Sequence, residues 1–65
     1  MARVKVRLRT WRLERGLTRD ELAKEARVTK DYIVQLETGL RDTPSLPVLR
    51  RLAKALGVSM GELLE

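Results

Sequence analysis

The chain opens on an alternation. Val4, Val6 and Leu8 take one parity, and Arg3, Lys5 and Arg7 take the other. Period two with β-branched residues predicts a short β-strand or extended arm over residues 1–7. A single strand beside helices must pair with a second copy, pack its apolar side on the helices, or remain an arm. From Leu8 the period becomes helical. Ile33, Leu36 and Leu40 lie at i, i+3 and i+7, and Leu49, Leu52, Ala53 and Leu56 follow the same spacing. With Leu8, Trp11, Leu17, Leu22, Ala26, Val28, Val58, Met60 and Leu63 they fill one core.

Polar and glycine positions divide this stretch into five helices. The first spans roughly 8–15, with Gly16 suited to a left-handed C-terminal turn. The second begins at Thr18-Arg19-Asp20-Glu21, a capping box in which the Thr18 hydroxyl and Glu21 carboxylate serve each other's backbone N–H, and it ends near Ala26. The third follows Thr29, another N-cap candidate, carries Asp31 in its first turn, and stops at Gly39. The fourth follows Pro44-Ser45, with Ser45 as cap and Pro47 in the first turn, and runs to Leu56 before Gly57. The fifth opens with a second capping box, Ser59-Met60-Gly61-Glu62, and reaches the C-terminus. The expected organisation is all-α: a basic strand or arm over 1–7 and one helical domain over 8–65.

Composition narrows the chemistry. Sixty-five residues make one small domain. No His or Cys occurs, so there is no disulfide, no usual zinc ligand set, no imidazole base and no thiol nucleophile. The four glycines are far apart and form no phosphate loop. These absences argue against an enzyme, a metal site or a cofactor. No apolar run is long enough to span a membrane, and no apolar block follows the basic start, so a cytoplasmic protein is the default expectation. Arg outnumbers Lys ten to four and Asn is absent, a bias shared by thermophiles and by GC-rich genomes.

Charge is unevenly placed. The net charge is +5. Residues 1–12 hold Arg3, Lys5, Arg7, Arg9 and Arg12 and no acid, whereas residues 13–65 balance nine basic against nine acidic side chains. A basic edge of this kind suits nucleic-acid phosphate, or simply keeps the chain dissolved.

Helices two and three are separated only by Arg27-Val28-Thr29, a link so short that the two must cross steeply, as in a helix-turn-helix. Ala23 falls where they approach and Val28 plugs the turn. At this point the sequence resembles the Xre family, the Cro and phage-repressor class of five-helix DNA-binding domains. The resemblance runs from Leu8 to Leu64. It rests on Trp11-Arg12, Gly16-Leu17-Thr18, Glu21-Leu22-Ala23, Val28-Thr29-Lys30, Ile33, Leu36-Glu37-Thr38-Gly39, Pro44-Ser45-Leu46, and Leu52 through Ser59.

The resemblance implies that helix three, residues 30–38, is a recognition helix lying in the major groove of double-stranded DNA. Base contacts are then expected from Thr29, Lys30, Asp31, Val34 and Gln35. Lys30 can donate to guanine, Gln35 can pair with adenine, Asp31 can accept from cytosine, and Val34 can touch a thymine methyl. Phosphate contacts are expected from Thr18, Arg19, Tyr32, Thr38 and Arg41, with core packing an equal reading for Tyr32. The family commonly has Gln where Arg19 stands. It usually has Gly where Arg27 stands, so Arg27 implies either a strained left-handed residue or a differently shaped turn. Arg12 and Glu37 take positions where the family places a structural salt bridge.

A domain this small makes few contacts, so a homodimer on a palindromic operator is expected. Candidate dimer residues are Val4 and Val6 of the strand and Leu63 or Leu64 of the last helix; the competing role for the first residues is an arm reaching into the minor groove. The leading function is a transcriptional repressor. The alternative is an antitoxin-like regulator whose main ligand is another protein, for which exposed Val34, Leu40 and Val48 would provide a surface. A sequence-independent chromosome-binding protein is a third reading.

Overall fold

The computed structural model describes residues 7–41 and 44–64. Among them are five helices: α1 (Leu8–Glu14), α2 (Arg19–Ala26), α3 (Lys30–Thr38), α4 (Leu46–Leu56) and α5 (Met60–Leu63). Residues 1–6 lie outside this range, so the strand expected from the alternation, with Val4 and Val6, lies outside the described residues.

Local chemistry sets the boundaries. Thr18 accepts from the Glu21 backbone N–H while the Glu21 carboxylate accepts from the Thr18 N–H, and Ser59 and Glu62 repeat the arrangement. Thr29 accepts from the Tyr32 N–H at the start of α3. Ser45 occupies the corresponding position before α4 but its side chain makes no capping bond.

Three helices end in one motif. The N–H of Leu17, Val28 and Val58 each reach back to the carbonyl five residues earlier, on Arg12, Ala23 and Ala53. In each case the preceding residue is left-handed: Gly16, Arg27 and Gly57. This is the Schellman ending, and its following apolar residue packs on the core each time. Of the two readings of Arg27, the structure takes the strained one: a left-handed non-glycine residue at φ 59° and ψ 44°, costing roughly 1–2 kcal/mol.

The helices meet around Leu8, Leu22, Ile33, Leu52, Leu56 and Leu63, all fully buried. Helix α2 sits at the centre, packed on both α3 and α4, with Ala23 and Ala26 keeping its buried face narrow. Arginines reach across the gaps to carbonyls that helix ends leave without partners. Arg12 donates to the Leu17 carbonyl, Arg15 to that of Leu56, and Arg51 to that of Ala26. Helix α5 is closed onto the start of the described chain and α1: the Arg7 N–H donates to the Leu63 carbonyl at 2.7 Å and Trp11 Nε1 to the Glu62 carbonyl at 3.0 Å.

Four expectations are corrected. Helix α5 is a single turn, ending at Leu63, with Leu64 in extended backbone. Leu63, expected at a dimer surface, is fully buried in the chain's own core; Leu64 is half-buried against it. Leu40 is 78% exposed, as its place on a partner surface requires but against its place on the helical stripe with Ile33 and Leu36, because α3 ends at Thr38 and left-handed Gly39 breaks the register. Val48, expected to be exposed, packs on the core, as does the half-buried side of Tyr32.

Candidate nucleic-acid interface

The interface is built on α3. Thr29 caps it, Ile33 and Leu36 point into the core, and Tyr32 and Glu37 are turned toward neighbouring parts of the chain. Lys30, Asp31 and Thr38 are exposed, and Val34 and Gln35 are half-buried on the same side. The helix is short, nine residues, so its orientation depends on what grips its ends. At the N-terminal end the grip is the tight turn from α2. At the C-terminal end it is Glu37.

The Glu37 side chain is 1% exposed, yet it remains an ion because two arginines hold it. Arg12 reaches it from α1 with Nε 2.7 Å from Oε2 and Nη2 3.2 Å from Oε1, a two-pronged contact. Arg19 reaches it from the first turn of α2, Nε to Oε1 at 3.0 Å. Burial pushes the Glu37 carboxyl up, but the hydrogen bonds and charges of Arg12 and Arg19 outweigh this and hold it below the usual carboxylate range. One carboxylate on α3 thus ties together α1, α2 and α3.

The other expected residues lie around this core of charge. Arg19 is tied to Glu37 on one side and half-exposed on the other, where it lines an open cleft with Arg9, Thr18 and Lys30. Lys30 lies 3.7 Å from the Asp20 carboxylate, both largely exposed, so this pair contributes little. Thr38 donates its hydroxyl to the Val34 carbonyl within the helix. Arg41, just past α3, lies over the Tyr32 ring, 5.0 Å from its centroid, and its Nε donates to Gln35 Oε1 at 2.7 Å. Neither Arg19–Glu37 nor Arg41–Gln35 is foreseen from the sequence. The first joins side chains of different helices 18 positions apart. The second depends on a turn that carries the chain back over α3.

A helix-turn-helix family model matches residues 8–63, from the first residue of α1 to the last of α5. The chain belongs to this helix-turn-helix family. It is 36% identical over 59 residues to the HTH-type transcriptional regulator SinR of Bacillus subtilis, an alignment covering 91% of this chain and 53% of SinR. It is 42% identical over 59 residues to the HTH-type transcriptional regulator DdrOP3 of Deinococcus deserti, covering 91% of this chain and 45% of that protein. The chain thus spans about half the length of these two regulators. The structure of SinR in complex with DNA superposes with a TM-score of 0.84 at 35% identity, covering 88% of this chain and 90% of that one. Among the described residues of this helix-turn-helix domain, no helix is long and apolar enough to cross a membrane, and no cluster of potential metal ligands occurs.

Proposed function

We propose that this chain binds double-stranded DNA in a sequence-specific manner as a cytoplasmic transcriptional regulator, a repressor acting as a homodimer on a palindromic operator. The observation that carries this reading is α3 itself. It is braced at both ends, turns Ile33 and Leu36 into the core, and offers a compact outward set of Lys30, Asp31, Val34 and Gln35 in the second-helix position of a helix-turn-helix. The likeness to SinR, a regulator whose structure is known with DNA, supports the same ligand class.

In this reading α3 enters the major groove. Lys30, Asp31, Val34 and Gln35, with Thr29 at the helix start, face base edges, where donors, acceptors and methyl groups distinguish the four pairs. Thr18, Arg19, Tyr32, Thr38 and Arg41 flank them and face phosphates, which set register without reading sequence. Arg19 can serve phosphate while bonded to Glu37, since only one of its five N–H groups is committed to that bond. Arg9 in the same cleft adds a further phosphate contact.

Selection from a random duplex DNA library tests the proposal. The expected result is an enriched palindrome whose half-sites lie about 10 base pairs apart. Retention of DNA with no sequence preference at moderate salt would overturn it.

A further inference from the structure

Gln35 is the single side-chain amide of this chain, which has no Asn and no other Gln. An unrestrained carboxamide is ambivalent. Half a turn about its last bond exchanges the acceptor oxygen with the donor nitrogen, so it can face either kind of base edge. Gln35 is restrained. Arg41 Nε donates to its Oε1 at 2.7 Å, the Arg41 backbone N–H donates to its backbone carbonyl at 3.2 Å, and the guanidinium is stacked on Tyr32. A guanidinium carries only donors. Exchanging oxygen and nitrogen would set N–H against N–H, so the amide is held with Nε2 as its open end.

We propose that Arg41 determines specificity through Gln35: by holding Oε1 it leaves the two Nε2 donors for the groove and directs Gln35 to guanine instead of adenine. This rests on the base-reading role of α3 proposed above. Adenine needs Oε1 to accept from its amino group while Nε2 donates to N7. Here one of that oxygen's two lone pairs already accepts a charge-assisted bond, and beside the other the guanidinium opposes the positive hydrogens of an incoming amino group. Guanine presents O6 and N7, both acceptors, and meets no such opposition. Arg41 is on this account a positioning residue acting through Gln35, and not only a phosphate contact.

Two measurements test it on the 65-residue chain. With a single side-chain amide, a 15N–1H correlation spectrum contains one Gln Nε2 pair. In the parent chain this pair should stand apart from free-carboxamide positions, and Arg41→Ala should return it to them with the melting temperature unchanged. A pair that does not move would overturn the proposal. The second measurement is duplex selection with the parent chain, Gln35→Ala, Arg41→Ala and Arg41→Lys. The parent should enrich guanine at one position per half-site, and Gln35→Ala should erase that preference. Both Arg41 variants should shift that position toward adenine by about fivefold or more, leaving the others alone. Lysine keeps the charge but loses the planar fork and the ring stack.

A purely phosphate role gives a different pattern: Arg41→Ala weakens all sequences evenly, the salt slope falls by about one, and Arg41→Lys is spared. That pattern, or adenine at the Gln35-dependent position of the parent chain, overturns the proposal. If the amide pair responds to Arg41→Ala but the parent chain enriches no sequence, the DNA-reading role has failed and the contact has not. The specificity role then falls with the former.

Discussion

At the scale of single residues, the decisive feature is a charge kept inside. Glu37 is enclosed by the protein yet held below its ordinary value near 4.5, because Arg12 and Arg19 stabilise its ionised form more than burial disfavours it. A folded-state value below the unfolded one contributes stability that is present above the unfolded value and is lost as pH falls through the folded one. Stability should therefore drop on acidification below about pH 4.5. Glu62, lowered by its bonds to Ser59, adds to the same window. Glu37→Gln should be less stable at neutral pH and should flatten the acid limb without abolishing it. Arg12→Ala should cost toward the lower end of about 3–5 kcal/mol, since Arg19 still partners the buried carboxylate. Urea titrations of the three chains between pH 3 and 7 would check this, and identical acid limbs for parent and Glu37→Gln would show that Glu37 is not the group responsible. The pairing of Arg12 with Glu37 came from family resemblance. Arg19 as the second partner did not, because no spacing rule links the first turn of α2 to the end of α3.

At the scale of elements, what is legible in the sequence is what is chemically local. The Thr18–Glu21 and Ser59–Glu62 boxes and the glycines after α1, α3 and α4 act within a few residues, so one string of letters contains both partners. The errors arise where an element stops. Leu40 fits the stripe of Ile33 and Leu36 only if the helix continues past Gly39. Ser45 is the right residue type for a cap, yet its side chain makes no capping bond. This contrast makes a paired prediction. Thr18→Ala should cost about 1 kcal/mol, because the hydroxyl that accepts from the Glu21 N–H is lost while the backbone N–H of residue 18 still donates to the Glu21 carboxylate. Ser45→Ala should be close to neutral, because no side-chain bond exists to lose. For a domain this small the first change corresponds to a melting shift of about 4–8 °C. Equal shifts for both variants, read by thermal denaturation followed by circular dichroism, would contradict the assignment of the caps.

At the scale of the whole molecule, the proposed homodimer needs a surface on which to form. Burial removes Leu63 from the candidates, since its side chain already serves the monomer's core. Leu64, extended and half-buried, remains at the surface beside it. The Arg7 N–H bond to the Leu63 carbonyl brings the start of the described chain to the same edge. Arg7 and Leu64 therefore lie at one margin of the described molecule. Removing residues 1–6 deletes Val4 and Val6 together with Arg3 and Lys5. If the segment is a dimer strand, sedimentation should change from two copies to one, and operator affinity should become steeply concentration-dependent. If it is an arm on DNA, the dimer should survive. The salt slope of binding should then fall by about two, one for each lost phosphate partner, with the selected sequence unaltered. We expect the first outcome, because alternating Val4, Val6 and Leu8 gives a strand an apolar side that an arm on DNA does not need.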